Sequence, residues 1–167
     1  MRLLALDPSI TRIGLALFVD GRLIDAGCLK VTKEGHVLSR TVQAAQAVKA
    51  WCGDADALVV EWPQIYKAKK SKGDPNKIVP LAGVCSAVAA LLGCEPHMYL
   101  PRDWADNLPK CETVKGAKTS PRAYRIESRL QGGEQIVWAR VKYHDAIDAI
   151  GIGLKHLGRF ERSRVFG

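Results

Sequence analysis

The first eighteen residues, Met1 to Phe18, restrict the possible folds more than any other stretch. Leu3 to Leu6 is a continuous apolar run that ends on an acid, Asp7, and after a turn a second apolar run opens at Gly14. Uninterrupted apolar runs bounded by turn residues read as buried strands. Pro8 has no N–H to give to a ladder, so pairing stops or changes there. The pattern therefore puts a carboxylate at the end of a central strand, aimed beyond the sheet. Burying that charge alone is costly, so it needs a cation or a donor. A second reading is open from this stretch alone: Asp before Pro commonly starts a turn, and Asp7 can be its cap.

Ile13 to Val19 is expected as the second strand. Asp20-Gly21 is a two-residue hairpin signal, since both positions tolerate positive φ. Arg22 to Leu29 follows as a third strand with Leu23, Ile24 and Ala26 as its apolar members, which makes an antiparallel meander. Leu38 to Trp51 carries Leu38, Val42, Ala45, Val48 and Trp51 close to helical spacing, and Gly53 ends it. Ala57 to Val60 is a short buried strand that ends on a second acid, Glu61. With a helix before it, this strand can join the meander in parallel through a crossover. Ile78 to Leu92 reads as an apolar helix stopped by Gly93, and His97 to Leu100 as a short strand. Pro101 to Leu108 opens a short helix. Ser120 caps another, with Pro121 in its first turn, running to about Leu130. The final helix spans His144 to His156, and Asp145 and Asp148 share one face of its first turn.

Composition limits what such a chain can do. At 167 residues it fits one domain with a real core, and 47% hydrophobic against 25% charged residues excludes a disordered chain. The net charge of +8 favours a polyanionic partner, nucleic acid first. Much of the surplus is local. Directly after Glu61 come Trp62, Tyr66, Lys67, Lys69, Lys70 and Lys72, a basic loop whose aromatics can stack on bases while its lysines hold phosphates. A solvated surface loop has the same composition. Five cysteines, Cys28, Cys52, Cys85, Cys94 and Cys111, include no C-x-x-C pair. They read as reduced, mostly buried apolar residues and not as a disulfide frame or zinc site. The N-terminus lacks a signal-peptide core, and Gly83 to Cys94 is too short to cross a bilayer, so a cytoplasmic chain without membrane contact is expected.

The acids Asp7, Glu61, Asp145 and Asp148 need weighing together. Asp145 can cap the last helix and Asp148 can sit in its positive first turn. Brought beside Asp7 and Glu61, however, the four carboxylates repel. Oxygen-preferring divalent cations remove that conflict. Two such ions about 4 Å apart activate a water and stabilise the leaving oxygen in phosphodiester hydrolysis.

These residues resemble the RuvC group of Holliday-junction resolvases, within the RNase H-like nuclease superfamily. Leu-Ala-Leu-Asp7-Pro-Ser-Ile-Thr-Arg-Ile-Gly14 is similar to the group's first motif, Asp-Pro with a Gly seven residues after the Asp. Val59-Val60-Glu61 resembles the second, and His144-Asp145-Ala-Ile-Asp148-Ala-Ile-Gly-Ile-Gly-Leu the third. The resemblance implies an α/β, RNase H-like fold, a mixed five-stranded sheet of three antiparallel and two parallel strands flanked by helices. Residues 1–157 would form the nuclease domain and 158–167 a basic C-terminal tail. It implies a homodimer that nicks opposing strands of a four-way DNA junction. Asp7, Glu61, Asp145 and Asp148 would ligate two Mg2+ (or Mn2+) ions per site. Lys118 resembles a basic position near the scissile phosphate, and His144 is a candidate aid to a metal or to proton transfer. Trp62, Tyr66, Lys67, Lys69, Lys70, Lys72, Arg102, Lys110, Lys115 and Lys118 are the candidate DNA contacts.

The chain also departs from the group. Ser9-Ile10 stands where Gly-Ser is usual, and Arg102 to Lys118 carries Trp104, Pro109 and Cys111 in place of a Lys- and Gly-rich pattern. The aromatic expected at the junction after the second acid is displaced, with Trp62 or Tyr66 as its substitute. Such divergence suits a phage or plasmid member. Alternatives are a less selective nuclease acting on flaps, forks or RNA-containing duplexes, and a catalytically silent DNA-binding module of the same shape. An actin-like ATPase domain also opens with an Asp on a strand, but no second Gly-rich phosphate loop is visible.

Overall fold

The computed structural model describes residues 1–9, 11–62, 75–105, 120–141 and 144–160, without the side chains of 75–77. Strands β1 (Arg2–Asp7), β2 (Arg12–Val19) and β3 (Arg22–Lys30) form the antiparallel meander. Asp20 (φ 50°) and Gly21 (φ 78°) turn the β2–β3 hairpin. Two successive left-handed residues make the tight turn whose twist suits paired strands, and Asp-Gly adopts it with little strain. Helix α1 (Val37–Cys52) leads into β4 (Ala57–Glu61), and α2 (Pro75–Leu92) into β5 (Pro96–Tyr99). Both later strands pair in parallel, giving the order β3-β2-β1-β4-β5. The expected sheet of three antiparallel and two parallel strands is the one that forms. Three helices follow: α3 (Pro101–Trp104), α4 (Pro121–Glu127) and α5 (His144–His156).

Strand alternation sorts the core into two layers. Leu4, Leu6, Leu58 and Val60 face one way and pack with Ala45 and Val48 of α1 and Val84 and Val88 of α2. Leu3, Ala5 and Val59 face the other way, onto Ile147, Ile150 and Leu154 of α5. Asp145 to Leu154 are all buried, as in a helix enclosed on every side. Its glycines make this possible. A Cβ on Gly153 would lie 2.1 Å from the Phe18 ring, and one on Gly151 would lie 2.4 Å from the Trp104 ring.

Several expectations need correction. Ile24 is not a core member but 61% exposed. The β2–β3 register slips between Leu17 and Phe18, so Leu23 and Asp25 face consecutive partners and Ile24 is the extra residue pushed outward. Leu38 and Val42 of α1 are also exposed, because the buried stripe of that helix runs through Ala44, Ala45, Val48 and Cys52. Helix α2 starts at Pro75 and accommodates Pro80, β5 lies one residue earlier than expected, and α4 stops at Glu127. The packed body continues past residue 157. Phe160 is fully buried, and Arg159 donates to Glu134 (3.0 and 2.5 Å) and to the Gly21 carbonyl (2.7 Å). Cys28, Cys52, Cys85 and Cys94 are free thiols, and Cys111 lies outside the described residues. Among the described residues, no helix is long and apolar enough to cross a membrane.

Candidate active site

The ladder decides where the acids go. Leu6 pairs with Val60 across the parallel β1–β4 interface, so Asp7 and Glu61 are the next residues on adjacent strands. By alternation with Leu3, Ala5 and Val59, both carboxylates lie on the sheet face that carries α5. On the other side of β1, Asp7 pairs with Gly14, and Gly14 with Cys28 of β3. Helix α5 begins directly above this row. A Cβ on Gly14 would sit 1.9 Å from the Asp145 carbonyl oxygen, so only glycine lets the helix start approach the sheet this closely. The glycine seven residues after Asp7 thus has a steric role. Strand ends and helix start bring Asp7, Glu61, Asp145 and Asp148 to one region, and all four are buried, Asp148 completely.

Buried carboxylates need donors. Asp148 accepts from Arg122 Nη1 at 2.8 Å, an ion pair whose side chains are 7% and 0% exposed. Asp145 lies 3.3 Å from Arg12 Nε and 3.1 Å from His144 Nε2. Burial pushes the Asp145 carboxyl up, but His144 and then Arg12 outweigh it and hold the group below the usual aspartate range. Glu61 accepts from the indole N–H of Trp104 at 2.9 Å. Arg122 stacks on that same indole, its guanidinium carbon 5.3 Å from the ring centroid. Among the described residues, no three His, Cys, Asp or Glu side chains gather closely enough to hold one ion. Arginines and an indole meet the carboxylates instead.

The donor set still fits a hard divalent cation. Two thiols lie near the acids, and burial disfavours the thiolate of each. Burial, reinforced by the Asp145 carboxylate, pushes Cys28 up to about 12, and burial with the Asp7 carboxylate does the same to Cys85. The available ligands are carboxylate oxygens, which suit magnesium or manganese better than a thiolate-seeking metal.

The other candidates divide. Trp62 is half-buried against the cluster of Leu4, Leu6 and Val60, and its backbone N–H donates to the Tyr99 carbonyl at 2.8 Å. Arg102 on α3 is exposed and lies 3.9 Å from its neighbour Asp103. Tyr66, Lys67, Lys69, Lys70, Lys72, Lys110, Lys115 and Lys118 lie outside the described residues. Sequence reasoning did not single out Arg12 or Arg122, and it met Trp104 only as a departure from the expected pattern. Arg122 did leave a signal, since it stands four residues before Ile126 on the buried side of α4. A charge on an apolar stripe signals a buried counter-charge.

No protein-family model matches the chain. Curated proteins named crossover junction endodeoxyribonuclease RuvC are similar to it along nearly its whole length. That of Corynebacterium efficiens is 23% identical over 167 residues, covering 95% of this chain and 70% of its own. That of Frankia alni is 26% identical over 167 residues, covering 95% and 79%. Among solved structures, Thermus thermophilus RuvC in complex with a Holliday junction substrate matches with a TM-score of 0.56 at 17% identity. The match covers 96% of this chain and 98% of that one. A second Thermus thermophilus RuvC structure gives 0.52 at 17% identity, over 96% and 99%. The fold is the RNase H-like fold of RuvC.

Proposed function

We propose that the chain is a RuvC-type, metal-dependent endodeoxyribonuclease that resolves four-way DNA junctions by paired phosphodiester hydrolysis, in the cytoplasm of a bacterial host. The observation that carries this reading is the meeting of four buried acids, Asp7 and Glu61 on one sheet face and Asp145 and Asp148 in the start of α5 above it, in a chain similar to RuvC over 95% of its length. Asp7, Glu61, Asp145 and Asp148 would hold the Mg2+ or Mn2+ ions, two per site. Those ions supply charge stabilisation at the phosphodiester and a more acidic water. The chain's own residues do the rest. His144 and Arg12 keep Asp145 ionised, and Lys118 would neutralise the phosphate being cut. The loops carrying Lys67, Lys69, Lys70, Lys72, Lys110 and Lys115 would hold the DNA arms, with Trp62, Tyr66 and Arg102 at their edge.

A homodimer suits this reading, because a two-fold junction calls for two sites related by a two-fold axis. Exposed Leu38 and Val42 on α1 and Val79 and Leu91 on α2 support it, as apolar side chains available for burial against a second copy. One observation favours a catalytically silent DNA-binding module instead: Asp145 and Asp148 already have arginine partners.

Asp7→Asn separates the two. Under the nuclease reading it abolishes cleavage and leaves junction binding intact, since the acid serves the metal and not the DNA. Binding by either protein weakens steeply with salt as lysines release counterions. Cleavage by Asp7→Asn at the wild-type rate would reject the site.

A further inference from the structure

Two side chains that the proposed chemistry does not require form one buried relay across the site. Trp104 is fully buried, and its single donor, the indole N–H, goes to Glu61 Oε2. Its ring is held from several sides. One edge lies on Gly151, where a Cβ would come within 2.4 Å, and the Phe160 ring is 6.4 Å away, centroid to centroid. The Arg122 guanidinium covers the ring at 5.3 Å and donates to Asp148 at 2.8 Å. Arg122 is held in turn by α4, whose start is capped by Ser120 accepting from the Ala123 N–H at 3.1 Å. One continuous contact path thus runs from the acid at the end of β4 to the acid on α5.

We propose that Trp104 and Arg122 are positioning residues of this site: Trp104 aims Glu61, and Arg122 is the resident counter-charge of Asp148 until a metal ion takes its place. The inference rests on the metal-dependent reading above. Packing alone does not call for these residue types. An aromatic seat on Gly151 does not by itself need an N–H donor, and a Met or Leu would fill the place of the arginine stem without a charge to bury. The polar ends of both side chains instead go to the acids of the site. The indole bond ties up one oxygen of Glu61 and fixes the direction of the other, which is how an outer partner tunes a ligand. The guanidinium cannot shed its proton, so a dication approaching Asp148 meets a fixed positive charge and has to displace it. The two residues should therefore act on metal affinity in opposite directions.

The test is a Mn2+ titration of the full chain, followed by the electron paramagnetic resonance signal of free Mn2+, for wild type, Trp104→Phe and Arg122→Gln. Trp104→Phe keeps an aromatic ring of smaller size and loses the donor, and its Mn2+ affinity should fall by about 10- to 100-fold. Arg122→Gln removes the opposing charge, and its affinity should rise by about tenfold or more. If Arg122→Gln is unfolded without metal, it should regain its circular dichroism when Mn2+ fills the vacated charge position. Wild-type affinity in Trp104→Phe overturns the inference. So does unchanged or weaker binding by Arg122→Gln, or failure of the unfolded variant to refold with Mn2+. A residue pair with a packing role alone would alter the melting temperature and leave both affinities alone. If the wild type takes up no Mn2+, the metal-dependent reading falls as well. If it binds Mn2+ and Trp104→Phe binds equally, only the inference falls.

Discussion

Replacing Gly14 by alanine should damage the site without touching any of its carboxylates. The new Cβ would stand 1.9 Å from the Asp145 carbonyl oxygen, 2.2 Å from its carbon and 2.8 Å from the Ala146 nitrogen, all of them backbone atoms. Real Cβ contacts do not fall below 3.0 Å, so the start of α5 must retreat from β2 by 3.0 − 1.9, about 1.1 Å. Overpacking of this kind costs about 1–3 kcal/mol. Asp7 faces Gly14 across the ladder and Asp145 belongs to the retreating helix, so the gap between the two acids opens by a similar distance. A displacement of about 1 Å at reacting groups costs about 10²-fold in rate. The assay is junction cleavage with Mg2+, alongside urea unfolding, for wild type, Gly14→Ala and Gly27→Ala. Gly27 lies on β3, where a Cβ meets nothing within 4 Å, so its variant should match the wild type. Full activity and stability in Gly14→Ala would refute the steric role assigned to this glycine.

Two further outcomes follow from the ion pairs. Asp148→Asn leaves Arg122 buried without its carboxylate and should cost about 3–5 kcal/mol in urea unfolding. Asp145→Asn should cost less, because Arg12 is one-third exposed; equal losses would contradict the burial argument. The Glu134–Arg159 pair makes stability depend on acid. Burial pushes the Glu134 carboxyl up, but Arg159 and the N–H groups of Gln131 and Leu23 outweigh it and hold the group at about 2, below its ordinary 4.5. Its contribution is fully present above pH 4.5 and fades as pH falls toward 2. It amounts to about 2 kcal/mol after allowance for solvent screening. Urea midpoints of wild type and Glu134→Gln should converge between pH 5 and pH 2, and a constant difference would contradict the assignment.

Those parts of the fold that depend on local chemistry were legible in the sequence. The Asp20-Gly21 hairpin, the Ser120 cap before Pro121 and the limits of the last helix all follow from residues within one turn of each other. What was not legible depended on register. Nothing local marks Ile24 as the residue expelled by a bulge. The exposure of Leu38 and Val42 depends on which stripe of α1 meets the sheet. The acids were legible because Asp7 and Glu61 end apolar strands and Asp145 and Asp148 open a helix. Their partners were not, since Arg12, Trp104 and Arg122 reach them from three separate segments. Trp104 looked like a departure from a basic pattern, yet it is the donor that holds Glu61.

The most direct measurement is cleavage of a labelled four-way junction, set beside linear duplex and flap of the same sequence, in Mg2+, Mn2+ and EDTA. A RuvC-type resolvase makes paired, symmetric nicks in the junction that disappear with EDTA and do not occur in the duplex. Tight junction binding with no cleavage in either metal would contradict that reading. The four buried acids would then belong to a DNA-binding module in which Arg12 and Arg122 already neutralise Asp145 and Asp148.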